Sequence, residues 1–385
     1  MKEGEQMLAL LFLFPVHNSL VKLDKIRLMK ILHVCETCKG GIGTYFSLLH
    51  RFPPKGVENS FLIPNFHAGS LADDLPLSMY AATKRGVGCI LAMCRALRRF
   101  LKSANPDAVF FHSSLSLLGL VFVRVIGWRG VAIYAAHGWA GARERKSKLS
   151  LRIVRWFEAR LVAQANLVVN VSEADAIFAQ RQGYKGHHVI IENAVADVRA
   201  GQISARAAKD DTISLLFVGR FDEQKGIDIL LEAFAAARKR RSDLHLLLVG
   251  GAVRGDAALL SLPDGASAVG WVKTDEIDQY YAAADALVVP SRWEGLPLVI
   301  PEALRNGTPV LCSRRSGMEK LINEGRSGYS FEPDASALAD LFCSLGRDWL
   351  TRSRTEARSQ YESRFDIAVW RDAISRAYAS LGLVA

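Results

Sequence analysis

Between Ala286 and Val310 the chain runs from an apolar segment, Ala286-Leu287-Val288-Val289, through a loop carrying Trp293-Glu294-Gly295-Leu296-Pro297, into a short helical stretch that stops at Gly307-Thr308-Pro309. A second apolar segment opens at Val310. Strand, turn, helix start, helix stop and strand within so few residues is the signature of an α/β unit. Glu294 falls on the loop leaving the first strand, and Glu302 about two helical turns later. In an open α/β sheet that loop lies at the carboxyl edge of the strands, where ligands bind. Two glutamates alone are equally consistent with a solvated loop charge and a helix-start carboxylate favoured by the dipole.

The same alternation repeats on both sides of this stretch. Ile31–Cys35, Phe61–Pro64, Ala108–Phe111, Val131–Ala136 and Asn166–Val171 read as strands, with helices near 87–102, up to about 164, and from Ser172 onward. Val198 to Asp211 is polar, rich in small residues and without a period, and reads as a linker. Ser214–Gly219 starts a second series, continued by a helix from Ile227, the strand Leu244–Gly251 and a helix from Asp275. A chain of 385 residues is too long for one ordinary core. The expected organisation is residues 29–197, a linker at 198–211, a second unit at 212–366, and a final helix over 367–385. That helix presents Val369, Trp370, Ile374 and Tyr378 on one side. Met29 looks like the opening of the first strand, so residues 1–28 read as an upstream extension of the reading frame or a loose surface segment. Leu8–Val16 is too short to span a membrane and lacks a positive flank for a signal peptide.

Three further strand ends carry chemistry. Lys39-Gly40-Gly41-Ile42-Gly43 joins the first strand to a helix, where glycines admit close approach and free amides favour an anion. His137-Gly138 follows a strand's carboxyl end, as does His112-Ser113-Ser114. Arg220 and Lys225 share the loop Arg220-Phe221-Asp222-Glu223-Gln224-Lys225-Gly226 before a helix start, so two cations and free amides converge as for a diphosphate.

Together these elements resemble the retaining glycosyltransferases of family 4, whose E-x7-E signature matches Glu294 and Glu302, and the resemblance extends over almost the whole chain. It implies the GT-B fold: two facing Rossmann-like units with parallel sheets and a cleft between them, the last helix crossing back to the first unit. By the same resemblance Gly40 and Gly41 lie near the donor phosphates and His137 touches the donor sugar. Arg220 and Lys225 hold the diphosphate. Gly270, Trp271 and Val272 seat the nucleobase, Glu294 binds sugar hydroxyls, and the amides of Gly295, Leu296, Pro297 and Leu298 meet sugar and phosphate. Glu302 holds the ribose. Ala194 stands where the family has glycine, and Ser316-Gly317 where it often has a glycine pair.

The implied activity is transfer of a sugar from a UDP- or GDP-linked donor to an acceptor hydroxyl with retention, in cell-surface polysaccharide or lipopolysaccharide assembly. Charge on the leaving phosphate falls to Arg220 and Lys225. No Asp-x-Asp pair stands at a suitable strand end, so no metal is expected, and no cofactor beyond the nucleotide-sugar substrate. Two alternatives remain open: an epimerase or phosphorylase of the same architecture, and a non-catalytic subunit of a polysaccharide assembly.

The net charge of +10 invites a nucleic-acid partner, but basic and aromatic residues do not interleave in a recognition module. The basic residues cluster at Arg95–Lys102 and Arg143–Arg155, both helical in pattern with apolar residues on one side. These are read as solvated faces or as contacts with anionic lipid, the latter suiting a lipid-linked acceptor and a cytoplasmic protein peripheral to the inner membrane face. The six cysteines offer one C-x-x-C pair, Cys35 and Cys38, without a second ligand pair for zinc, and read as buried thiols.

Overall fold

All the strand pairings are parallel, and they form two sheets. The computed structural model describes residues 28–38, 41–70, 75–142, 147–198, 212–252, 261–273 and 275–383. Residues 1–27, Gly40, residues 143–146 of the second basic run and nearly all of the expected linker lie outside the described residues.

The first sheet contains β1 (Met29–Cys35), β2 (Val57–Pro64), β3 (Leu77–Tyr80), β4 (Ala108–His112), β5 (Val131–Ala135), β6 (Leu167–Asn170) and β7 (His188–Ile190). The second contains β8 (Ile213–Arg220), β9 (Leu244–Gly251), β10 (Ala266–Gly270), β11 (Ala286–Val289), β12 (Val310–Ser313) and β13 (Gly328–Phe331). Their orders are β3-β2-β1-β4-β5-β6-β7 and β10-β9-β8-β11-β12-β13. Each therefore reverses direction once, between β1 and β4 and between β8 and β11.

Helices cover both faces, which is why most strands are near-continuous apolar runs, although β1, β2 and β4 carry the buried His33, Asn59 and His112. In β1, Ile31 and Cys35 enter one core layer, while Leu32 and Val34 enter the layer on the opposite face. Two features are invisible to sequence periodicity. β3 has only Tyr80 buried. The helix Ser116–Val125 is apolar around most of its circumference, with Leu118 and Val125 exposed, so apolar residues do not mark its buried face.

The helix Ile367–Ala379 packs Trp370, Ile374, Ala377 and Tyr378 into the core of the first unit, beside Ile31, Tyr45 and Phe46. Val369 does not join them and is exposed. It lies about 100° around the helix from Trp370, off the stripe that the i, i+4, i+7, i+8 spacing defines. The chain crosses between units at Ala194, which belongs to the first core, and Val195, which belongs to the second. It crosses back near Phe365, whose carbonyl accepts from Val195 N at 3.2 Å. Paired charges bind the two crossings. Arg364 holds Glu192 through two bonds of 2.6 Å, and Arg358 holds Asp197 through two of 2.7 Å.

The helix Lys148–Val162 inverts the usual arrangement. Its buried residues are Glu158 and Val162. Leu149 (67%), Ile153 (48%), Trp156 (55%) and Phe157 (50%) are exposed. The reason is local: Glu158 accepts hydrogen bonds from Ala140 N at 2.9 Å, Gly141 N at 3.0 Å and the Tyr184 hydroxyl at 2.8 Å. Those bonds turn the carboxylate inward, and the apolar stripe consequently faces out.

Truncating the crossing helix tests its packing. Trp370→Ala should lower stability by about 3–5 kcal/mol, read as a shifted urea midpoint of the first unit. An unchanged midpoint would mean that the helix rests on the core without supporting it.

Candidate active site

The reversal points of the two sheets open toward each other, so the strand ends that carry the sequence motifs line a common cleft. On the second unit, β8 ends in Arg220 and β11 leads to Glu294. Gly226 takes φ 68 at the start of the helix Ile227–Arg238. A Cβ there would stand 2.1 Å from the Pro290 carbonyl oxygen, so only glycine lets this loop lie against the end of β11. That approach sets Lys225 Nζ 2.7 Å from Glu294 Oε1. Asp222 accepts from Lys225 N at 3.0 Å and pairs with Arg220 at 3.1 Å. Gln224 accepts from Arg220 at 2.9 Å and donates to the Trp293 carbonyl at 3.1 Å. Ser316 Oγ accepts from Glu294 N at 3.2 Å. Glu302 sits on the following helix, Val299–Arg305, and accepts from the Tyr281 hydroxyl at 2.7 Å. Burial pushes its carboxyl above the usual carboxylate range, opposed by that hydroxyl and by Arg305.

On the first unit, β1 leads to Glu36 and Thr37, β4 ends at His112, and β5 leads to His137. Glu36 is fully buried, accepts from Arg85 at 2.7 Å and also from the Ser113 hydroxyl. His137 Nε2 lies 3.0 Å from His112 Nδ1, His112 Nε2 lies 3.0 Å from His33 Nδ1, and His33 Nε2 lies 2.9 Å from Asn59 Oδ1. Burial pushes His33 and His137 down to about 4 and lowers His112 as well. Of the four non-glycine residues with positive φ among those described, Ser113 (80°), His137 (50°) and Ser316 (55°) belong to this site. Strain of this kind persists where surrounding structure over-determines it, and it collects at ligand sites.

The units touch across the cleft at two glycines. A Cβ on Gly295 would stand 3.1 Å from Gly138 N and from the His137 carbonyl oxygen. The cleft has two lobes, of about 1000 Å³ and about 410 Å³, both lined by Thr37, Gly41, His137, Lys225, Glu294 and Gly295. Arg220 and Trp271 line the larger lobe, and Leu296, Pro297, Leu298 and Glu302 the smaller, beside Arg85 and Ser113. Gly41 opens a helix facing Leu298. Gly270 and Val272 are not brought to the lining: Gly270 ends β10 at φ 75, and Val272 packs against the second core. Trp293, Gln224, Glu36 and Arg85 are residues that motif reading missed. A carboxylate inside Cys35-Glu36-Thr37-Cys38, at the end of an apolar strand, was the available signal for one of them.

Two parallel α/β units with their reversal points turned to a shared cleft define the GT-B class. Solved structures agree. Sucrose-phosphate synthase from Thermosynechococcus elongatus matches with a TM-score of 0.76 at 19% identity, over 92% of this chain and 99% of that one. Anabaena HepE, in complex with UDP and glucose, matches at 0.73 and 19%, over 91% and 100%. At such identities the likeness concerns the fold.

Family models identify the chain more closely: Glycosyltransferase Family 4 matches residues 39–199 and Glycosyl transferases group 1 matches residues 212–348. The chain belongs to this glycosyltransferase family. A 41.2 kDa uncharacterized protein in the cps region of Klebsiella pneumoniae is 24% identical over 81% of this chain and 89% of its own length. The amylovoran biosynthesis glycosyltransferase AmsK of Erwinia amylovora is 26% identical over 54% of each chain. D-inositol 3-phosphate glycosyltransferase of Pseudarthrobacter chlorophenolicus is 34% identical, and the match spans 36% of its length.

The buried histidines predict an acid-sensitive fold. Their folded values near 4 lie below the ordinary 6.5, so between those limits the unfolded chain binds more protons. Stability should be fully present above pH 6.5 and fall as pH drops toward 4, by about 1.4 kcal/mol per pH unit for each such histidine. Urea midpoints at pH 7.5, 6 and 5 measure this, and a flat profile would contradict it.

Proposed function

We propose that the protein transfers a sugar from a nucleoside-diphosphate donor to an acceptor hydroxyl with retention at the anomeric carbon. The observation carrying this reading is the Lys225–Glu294 pair at 2.7 Å, set opposite His137 and Gly138 in the larger lobe. As the glycosidic bond breaks, negative charge grows on the leaving phosphate. Lys225 and Arg220 face that charge from one loop, and amides at the start of the helix after Gly226 add to their field. Glu294 shares one oxygen with Lys225 and keeps the other for sugar hydroxyls. Glu302, oriented by Tyr281, takes the ribose hydroxyls. Trp271, exposed beside Gly219 and Arg220 in the larger lobe, offers an apolar surface to the base.

Neither glutamate is a nucleophile or general base in this scheme. Glu294 is held in an ion pair and Glu302 lies in the other lobe. The departing phosphate oxygen takes the acceptor's proton on the face from which the acceptor attacks. The charge stabilisation comes from Arg220 and Lys225 without a metal. Contact of the two units at Gly138 and Gly295 would exclude water from the reacting sugar. A non-catalytic role is disfavoured because His137, Arg220, Lys225, Glu294 and Glu302 all line one cleft, and the E-x7-E element with the preceding Arg220 and Lys225 argues against an epimerase or phosphorylase.

The acceptor is proposed to be lipid-linked and met at an anionic membrane surface on the cytoplasmic side, in polysaccharide assembly. No helix among the described residues is long and apolar enough to cross a membrane. The outward stripe of Leu149, Ile153, Trp156 and Phe157, flanked by Lys148, Arg152 and Arg160, supports interfacial contact. Relatives in the cps region and in amylovoran biosynthesis support the pathway class.

A panel of UDP- and GDP-sugars, read by release of the nucleoside diphosphate, should identify the donor, and NMR of the product should give the anomeric outcome. With that donor, Lys225→Ala should lower turnover by roughly 10²–10³-fold with circular dichroism unchanged; near-normal turnover would remove Lys225 from the phosphate role. Separately, vesicles containing phosphatidylglycerol should co-sediment the protein, and the double change Trp156→Ser with Phe157→Ser should release it. Equal binding by the variant would place the contact elsewhere.

A further inference from the structure

Four side chains from four neighbouring strands or strand ends form a hydrogen-bonded row across the first sheet: Asn59 on β2, His33 on β1, His112 on β4 and His137 after β5. His33 and His112 are fully buried, and Phe46, Phe61 and Phe110 surround their rings. A neutral imidazole has one nitrogen that donates and one that accepts. The direction of the row therefore depends on which end is anchored.

Asn59 supplies the anchor. Its Nδ2 donates to the Leu49 carbonyl oxygen at 2.9 Å. A carbonyl can only accept, so the amide group must face Leu49 and Oδ1 must face His33. Oδ1 can only accept in its turn, so His33 Nε2 carries hydrogen and His33 Nδ1 does not. His112 Nε2 must then donate to His33, and His137 Nε2 must donate to His112. The ring nitrogen left over is Nδ1 of His137, a residue that lines both lobes of the cleft, and it has a lone pair. Burial keeps the histidines in the row uncharged near neutral pH, so no protonated ring interrupts the sequence.

We propose that Asn59, His33 and His112 are positioning residues that hold His137 in its Nε2–H tautomer, so that Nδ1 presents a hydrogen-bond acceptor to a hydroxyl of the bound sugar. The sugar contact rests on the glycosyl-transfer reading above; the tautomer does not. The row also ties His137, at its strained φ of 50, to the carbonyl of Leu49 in the last turns of the helix Gly41–Arg51, whose first residue lines the cleft. A side chain set this way discriminates: it accepts from a hydroxyl and offers no proton to a sugar ether oxygen.

The test uses the full chain with ¹⁵N-labelled histidine, read by long-range ¹H–¹⁵N NMR of the nine rings at pH 7.5. His137→Gln assigns the signal. In the wild-type protein His137 should show the Nε2–H pattern with an unprotonated Nδ1. Asn59→Leu removes the anchor without touching His137 or His112, and should shift the His137 tautomer ratio by roughly tenfold, the value of about one hydrogen bond. His112→Phe keeps a ring in place and should do the same. A merely structural role for Asn59 would leave that ratio unmoved. An Nδ1–H pattern in the wild type, or an unchanged His137 signal in a folded Asn59→Leu protein, would overturn the proposal. If both variants fail to fold, the wild-type spectrum still decides the tautomer. None of these readings requires turnover, so failure here is distinguishable from failure of the glycosyl-transfer assignment.

Discussion

A parallel sheet whose strand order reverses must leave a gap at its carboxyl edge, because the crossovers on either side of the reversal turn to opposite faces. This chain makes that gap twice, between β1 and β4 and between β8 and β11. The two gaps turn toward each other and give one shared cleft. Within the second sheet β8 lies beside β11, so the loops that follow them are neighbours and Lys225 meets Glu294 across 69 residues of sequence. The ends of β4 and β5 bring Ser113 and His137 to the opposing wall, with Glu36, after β1, fully buried behind it.

Charge in the cleft is distributed unequally. The second unit carries Arg220 and Lys225, each balanced by a carboxylate, Asp222 and Glu294. Such partners hold a cation in one geometry and limit the cost of leaving it partly desolvated. The first unit's wall carries His137, whose imidazole is kept uncharged near neutral pH by burial, together with Asp175 and Arg85, and behind it the buried Glu36 is satisfied by Arg85 and Ser113.

The same first unit carries the exposed stripe of the helix Lys148–Val162. Glu158, turned inward, fixes the backbone at Ala140 and Gly141, just beyond His137 and Gly138. One helix thus supports the loop behind the cleft with its buried side and presents Trp156 and Phe157 to the surroundings with the other.

Much of this was legible in the sequence. Short apolar strands ending in glycine, histidine or charge, alternating with helices, determined two parallel α/β units, because strands buried on both faces need no polar alternation. The spacing of Glu294 and Glu302 and the loop from Arg220 to Gly226 marked segments that line the cleft, because strand ends and helix starts are local features. Side-chain pairing across distant segments was not legible. The tertiary structure alone decided that Lys225 bonds Glu294, that Val369 faces out, that Glu158 rather than Trp156 is buried, and that Gly270 and Val272 stay off the cleft lining. It alone placed Asn59, His33, His112 and His137 in one row, since each lies on a different strand and only sheet order makes them neighbours. Local pattern determines which elements form; contact between elements depends on packing that no window of sequence contains.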